Sequence, residues 1–370
     1  MLKLDREKIE NIIFYHLPTL LKLQLKKNIP FIFPYLYIRP IISSIMVTAR
    51  CNSRCRICGI WKKNPNDELS TEEWQRIIFQ LRKEKIRYLN FTGGEPLLRE
   101  DLGELVDYAH SLGFIVGIFT NGYLLTEEVA KNLIAKGATY FTISLDALGE
   151  EFDEIRGTKG AFDKVINAVN ILKEWRKEKK IKIFLCITIM KKNLAQIIKV
   201  VEFAKKMKIA LFFSLLDNTP YFFKDIPFDS LSIKNDKINE LTTLIDRLKY
   251  LKKNHPWLIH YGFTSLDYIK DYFKYPLQKH LPCYKSLMRI FINPEGKLFG
   301  GCLSMGDFGD LRKEPLHKII HSQRYIMAQK KMFLKECPGC SCGYQLDLRY
   351  SLRHLLKEIG YRIFNRIRKE

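Results

Sequence analysis

Ile45-Met46-Val47-Thr48-Ala49-Arg50-Cys51-Asn52-Ser53-Arg54-Cys55-Arg56-Ile57-Cys58 joins a short apolar run to three cysteines within eight residues. The run Ile45 to Thr48 reads as a strand, and the cysteines follow its carboxyl end. Working outward, the same rhythm repeats to about residue 216. Strands are predicted at Ile86 to Phe91, Phe114 to Phe119, Thr139 to Ser144, Lys182 to Ile189 and Ile209 to Ser214. Helical sets lie between them. Ser70 and Glu73 form a capping box ahead of Trp74, Ile77, Ile78 and Leu81 on one face. Leu102, Leu105 and Val106, then Phe162, Val165, Ile166 and Val169, then Leu194, Ile197, Ile198 and Val201 keep the helical period. Six βα units at this spacing predict an α/β fold with a parallel sheet, because parallel strands need long crossovers. Periodicity leaves open whether that sheet curls.

The chain has 370 residues, which suggests two or three domains. Hydrophobic residues at 46% and charged residues at 28% exclude disordered, collagenous and disulfide-scaffold classes. Lys and Arg number 62 against 40 Asp and Glu, a net charge of +22 that favours anionic partners. The longest stretch free of charged side chains, Tyr108 to Thr126, contains His110, Gly113, Gly117, Asn121 and Gly122 and reads as helix end, strand and turn rather than a membrane span. Pro18, Pro30 and Pro34 interrupt the early apolar runs, so no signal peptide is read. The expected location is cytoplasmic, where nine cysteines point to metal ligands or buried thiols more than to disulfides.

Three thiolates can hold three corners of a cubane iron–sulfur cluster, whereas electron-carrying clusters use four. The fourth iron is then open, and an open coordination position is where a substrate or cofactor binds. A zinc knuckle completed by a distant Cys or His is the alternative reading of the same spacing.

Further motifs follow the later strands: Gly93-Gly94-Glu95-Pro96, Thr120-Asn121-Gly122, Ser144-Leu145-Asp146, and Arg156-Gly157 ahead of Gly160-Ala161-Phe162. With Cys-x3-Cys-x2-Cys after the first strand, this ordered set resembles the radical S-adenosylmethionine (radical SAM) superfamily over most of residues 45–216. The resemblance implies a partial (β/α)6 barrel of TIM type. It also implies a [4Fe–4S] cluster on Cys51, Cys55 and Cys58 with one open iron, bound S-adenosylmethionine (SAM), and a reductant such as flavodoxin or ferredoxin. Gly93, Gly94, Glu95 and Pro96 would hold the methionine amino group, Asn121 a supporting hydrogen bond, Ser144 the ribose or carboxylate side, and Arg156 the methionine carboxylate, with Asp146 a further residue of the cofactor site. The residue before the third cysteine is usually aromatic in the family. Here it is Ile57, so adenine contact would rest on backbone and aliphatic surface. The implied chemistry is reductive cleavage of SAM to methionine and a 5′-deoxyadenosyl radical that takes a hydrogen from substrate. No side chain is nominated as acid, base or nucleophile, since hydrogen abstraction needs none.

A second cluster of cysteines comprises Cys283, Cys302, Cys337, Cys340 and Cys342, with a hairpin signal at Asn293-Pro294-Glu295-Gly296 between Arg289 to Ile292 and Lys297 to Phe299. This segment resembles the SPASM extension or its shorter relative, twitch. A full SPASM domain has seven cysteines and two clusters. Five imply one auxiliary [4Fe–4S] site, most simply on Cys283, Cys302, Cys337 and Cys340 with Cys342 as spare or substitute. Structural zinc is the alternative, since it accepts four thiolates equally well. Cys186, inside a strand pattern, is expected in the core.

The predicted organisation is a basic apolar leader at 1–44, the core barrel at 45–216, a connecting segment at 217–282, a small Cys-rich α+β domain at 283–345 and a basic amphipathic helix at 346–370. Lys26, Lys27, Phe31, Phe33, Tyr35, Leu36 and Tyr37 at one end, and Leu348, Leu352, Leu355, Leu356, Ile359 and Ile363 at the other, pair apolar with cationic surface. Such segments can dock on the barrel or lie on an anionic membrane face. The auxiliary extension implies a peptide or protein substrate most often; lipid, lipid-linked and small-molecule substrates stay open. The competing class is a zinc-stabilised nucleic-acid-binding protein, although no RNA-recognition motif accompanies the charge.

Overall fold

The computed structural model describes residues 17–63, 66–216, 226–275 and 283–337. Cys340, Cys342 and the segment predicted as a C-terminal amphipathic helix lie outside the described residues, as do the first sixteen residues of the leader. Helix α1, Leu17–Asn28, precedes six strands: β1 Ile42–Thr48, β2 Tyr88–Gly93, β3 Ile115–Thr120, β4 Ala138–Ser144, β5 Lys182–Ile189 and β6 Ala210–Leu215. Each pairs in parallel with the next in sequence. The crossovers carry α2 Thr71–Lys83, α3 Leu102–Ser111, α4 Glu127–Ala135, α5 Glu150–Arg156, α6 Ala161–Glu178 and α7 Leu194–Lys206. The capping box is formed: Ser70 Oγ accepts from Glu73 N–H, and Glu73 Oε2 accepts from Ser70 N–H at 2.8 Å.

Alternation along each strand divides the sheet into two faces. Ile45, Phe91, Ile118, Phe141, Leu185 and Phe213 turn toward the helices and are buried, each contributing on the order of 1.5–3 kcal/mol. Trp74, Ile77, Ile78 and Leu81 of α2 are buried in the same core. The opposite face carries half-buried Ser44, Phe119, Tyr140, Phe184 and Phe212. Cys186 is on this face too, not among the core side chains, because Leu185 and Ile187 take the helix-facing positions.

After β6, α8 Ile238–Asn254 and α9 Phe263–Lys274 pack together. The chain then returns to the far side of the sheet, where β7 Arg289–Ile292 pairs in parallel with β1, from Ile42↔Arg289 to Ile45↔Ile292. Strands β8 Lys297–Phe299 and β9 Asp307–Asp310 continue antiparallel, giving the order β6-β5-β4-β3-β2-β1-β7-β8-β9. The predicted hairpin is present, with Asn293 Oδ1 accepting from Lys297 N–H at 2.7 Å across its turn. It continues the core sheet instead of forming a layer of its own, because β1 offers an unpaired edge. Helices α10 Leu316–Ile320 and α11 Gln323–Phe333 follow.

The described part of the leader docks on this C-terminal segment. Leu23, Phe33, Ile38 and Ile41 form one cluster with Tyr284, Leu287, Met288 and Phe333. Lys26, read from sequence as part of a cationic surface, is buried: its ammonium donates to the Phe33 carbonyl and lies 3.6 Å from the Phe33 ring centre. Burial, then Lys22, lowers its pKa to about 8. Phe31 and Tyr35 stay exposed. Among the described residues no helix is long and apolar enough to cross a membrane.

Candidate active site

The loop after β1 is gripped from three sides. From β2, Gly94 N–H donates to Thr48 O and Glu95 N–H to Arg50 O, both at 2.8 Å. A Cβ on Gly94 would meet the Arg50 carbonyl oxygen at 2.3 Å, so only glycine permits that approach. From α5, Arg56 N–H donates to Ile155 O at 2.9 Å, and Gly157, at φ +59°, leaves room for the Arg54 carbonyl. From the loop's own end, Trp61 Nε1–H donates to Cys55 O at 3.3 Å while Arg54 stacks on the Trp61 ring.

Cys51, Cys55 and Cys58 thereby come close enough to influence one another's charge. Burial pushes the Cys51 thiol up to about 12 and Cys58 up to about 11, so an electropositive centre must replace their protons before they ligate.

Arg156 lies beneath Cys55. Its Nη1 is 3.7 Å from Cys55 Sγ, its Nη2 donates to Asp146 Oδ2 at 2.5 Å, and its buried Nε has no partner. Burial opposes its charge, but Asp146 and then Cys55 hold the guanidinium pKa above its ordinary value. Asp146 is wholly buried, and its Oδ1 accepts from Thr188 N–H at 2.7 Å. Asp146, expected in the cofactor site, therefore faces Arg156, and Asn193 Nδ2–H anchors its backbone carbonyl at 2.8 Å.

Glu95 is likewise inside the molecule. Oε1 accepts from Thr120 Oγ1–H at 2.7 Å and Leu97 N–H at 3.1 Å, and Oε2 from Asn121 N–H at 2.7 Å. Burial pushes its pKa up to about 7 against these three bonds. It staples the end of β2 to the end of β3. Asn121 extends the staple to the cysteine loop through Nδ2–H to Asn52 Oδ1 at 2.7 Å. Ser144 ends β4 half-buried, in register with Cys186, whose thiol burial raises to about 12. Pro96 opens a short helical turn, and Ile57 packs into the main core.

Sequence reasoning passed over several participants. Ser53 Oγ lies 3.0 Å from Cys55 Sγ, donates to Arg156 O at 3.1 Å and meets Tyr123 OH at 3.3 Å. Glu68 Oε1 accepts from Thr48 Oγ1–H at 2.8 Å and Ala49 N–H at 2.6 Å. Ser53 sits inside the quoted cysteine motif and Tyr123 directly follows Thr120-Asn121-Gly122, but spacing does not say where a side chain points. The aromatic inner face was legible only as period-two alternation: Phe119, Tyr140 and Phe184 pack edge to face and Phe212 packs tilted against Phe119 and Phe184, with centroids 6.2–6.5 Å apart.

The second group is partly described. Cys283 is buried and precedes the single helical turn Lys285–Met288. Gly301, beside Cys302, packs so closely that a Cβ would meet Lys285 O at 2.1 Å. Gln329 of α11, the helix that leads to Cys337, donates from Nε2 to Ser286 O at 2.9 Å. The segments bearing Cys283 and Cys302 and the helix that precedes Cys337 thus meet at one turn. A cavity of about 220 Å³, with Asn90, Thr92, Phe119, Arg289, Phe291 and Leu303 in its wall, lies between this turn and the inner face of the sheet.

Residues 45–204 match the model of the Radical SAM superfamily. An Fe-coproporphyrin III synthase of Methanosarcina barkeri is 38% identical over 165 residues, 44% of this chain and 40% of that protein. The mycofactocin maturase MftC of Mycolicibacterium smegmatis is 40% identical over 136 residues, 36% of this chain and 34% of that protein. The chain thus spans less than half the length of these curated relatives. The crystal structure of Streptococcus suis SuiB bound to S-adenosylmethionine superposes with a TM-score of 0.65 at 15% identity, over 86% of this chain and 77% of that one, a likeness of fold.

Proposed function

Because residues 45–204 are a radical SAM domain, we propose that the chain is an enzyme that cleaves SAM reductively and modifies a peptide or protein. The observation that carries the reading is the gripped loop of Cys51, Cys55 and Cys58 above a buried Arg156–Asp146 pair. Those thiols would hold a [4Fe–4S] cluster, which when bound supplies the electron that splits SAM into methionine and a hydrogen-abstracting 5′-deoxyadenosyl radical. Arg156 offsets negative charge gathered at Cys55, and Asp146 keeps that guanidinium charged and aimed. Glu95 and Asn121 tie the ends of β2 and β3 to the cysteine loop, and Gly93, Gly94 and Ser144 would offer the rim to SAM. Substrate would enter along the aromatic inner face, which excludes water from the radical.

Cys283, Cys302 and Cys337, with Cys340 or Cys342, would hold an auxiliary cluster across the cavity. The peptide reading draws on the maturase MftC and on SuiB, also solved bound to precursor peptide SuiA. A tetrapyrrole is the second reading, favoured by the Methanosarcina synthases, 38% and 34% identical over 165 and 164 residues. The test is anaerobic: iron- and sulfide-loaded protein, chemically reduced, with SAM. Formation of 5′-deoxyadenosine supports the enzyme; zinc without sulfide and no cleavage overturns it. Stimulation by a peptide pool supports the first substrate class, and stimulation by iron coproporphyrin alone supports the second.

A further inference from the structure

Outside the cysteine sites, three side chains converge where the core meets the C-terminal segment. Glu84 ends α2, His317 lies in α10, and His321 follows four residues later on the same helical face. Glu84 Oε1 is 2.8 Å from His317 Nδ1, and Glu84 Oε2 is 3.8 Å from His321 Nε2. All three donor atoms lie within 4.8 Å of one another. We propose that Glu84, His317 and His321 bind a divalent transition-metal ion of the zinc class, clasping α2 to α10.

Bonds of about 2.0–2.1 Å in a tetrahedral zinc site set neighbouring donors roughly 3.3 Å apart, so Glu84 Oε1–His317 Nδ1 at 2.8 Å and Glu84 Oε2–His321 Nε2 at 3.8 Å each need a shift of only about 0.5 Å. An ordinary ion pair between Glu84 and a protonated His317 would explain one imidazole. It does not explain the second, which turns Nε2 toward the same carboxylate with its ring 4.2 Å from the first. Two imidazolium ions so close would repel. Burial, then the charge of His317, lowers the His321 pKa, which favours the neutral ligand form.

The frame is set without the histidines. Gln80 Oε1 accepts from Leu316 N–H at 2.7 Å at the start of α10, and Arg312 Nε–H donates to Glu73 Oε1 at 3.0 Å. Tyr37 packs its ring 4.5 Å from that of His321. Two imidazoles and one carboxylate suit zinc and its neighbours, whereas calcium and magnesium take oxygen donors. Remaining positions would be filled by water. The ligands are 233 residues apart in sequence, so an ion held here ties distant parts of the chain, and its binding free energy adds to their stability.

The test uses untagged full-length protein whose cysteines are already loaded with iron and sulfide, dialysed against buffered Zn2+ and compared with His317→Asn/His321→Asn. Retention of a single additional zinc by the native chain alone, with a rise in Tm that the variant lacks, is expected. Iron and sulfide should be equal in both. His317 is largely exposed, so His317→Asn alone serves if the double variant misfolds; it should weaken zinc by at least the roughly tenfold cost of losing a supporting partner. Equal zinc retention and equal Tm response in native and variant proteins would overturn the proposal.

Discussion

Eight consecutive residues supply Cys51, Cys55 and Cys58, whereas Cys283, Cys302 and Cys337 come from the turn before β7, the end of β8 and the chain beyond α11. In the first region the loop is short and its shape is imposed from outside, by Gly94, Gly157 and the Glu95–Asn121 staple. In the second, packing among Ser286, Gly301 and Gln329 brings the cysteine-bearing segments together. Local spacing therefore specifies one group of thiols, and the whole C-terminal fold is needed for the other.

The sharpest way to break this comparison is Cys55→Ala against Cys283→Ala. The first is expected to abolish 5′-deoxyadenosine formation. The second should lower iron and sulfide while leaving SAM cleavage measurable. Equal loss of cleavage in both would mean that the regions do not act separately.

Removing the support beneath the first loop comes next. Arg156→Met leaves Asp146 in the interior without its cationic partner, held only by Thr188 N–H, a defect worth about 3–5 kcal/mol in denaturant unfolding. Asp146→Asn in the same background should restore part of it.

Glu95 predicts a pH signature. Burial raises its folded pKa from 4.5 to about 7, so the folded state binds more protons than the unfolded state between those values. Stability is then full below about 4.5 and falls as pH rises toward 7, by on the order of 3 kcal/mol. Glu95→Gln should flatten that slope, seen as Tm against pH. The C-terminal region contains no such group among the described residues whose shift would mimic it.

The smallest effect expected is at Gly157→Ala. The left-handed backbone alone costs about 1–2 kcal/mol, and the Arg54 carbonyl would have to move. Slower cluster loading with little change in global Tm would place the strain in the loop.

Much of this molecule is local and so is visible in the chain. The βα alternation from Ile45 to Leu215, the capping box at Ser70, the hairpin turn at Asn293 and the Cys51–Cys58 spacing each depend on neighbours a few residues apart. What depended on distant neighbours was not visible. The pairing of β7 with β1 was decided by a free sheet edge, and the burial of Lys26 by the cluster around Phe33 and Phe333. The inward turn of Asp146 and Glu95 followed from partners at Arg156, Thr188 and Thr120. Spacing names the residues that reach a strand end; only the packed structure assigns each side chain its direction, because the competing hydrogen-bond partners arrive from other strands.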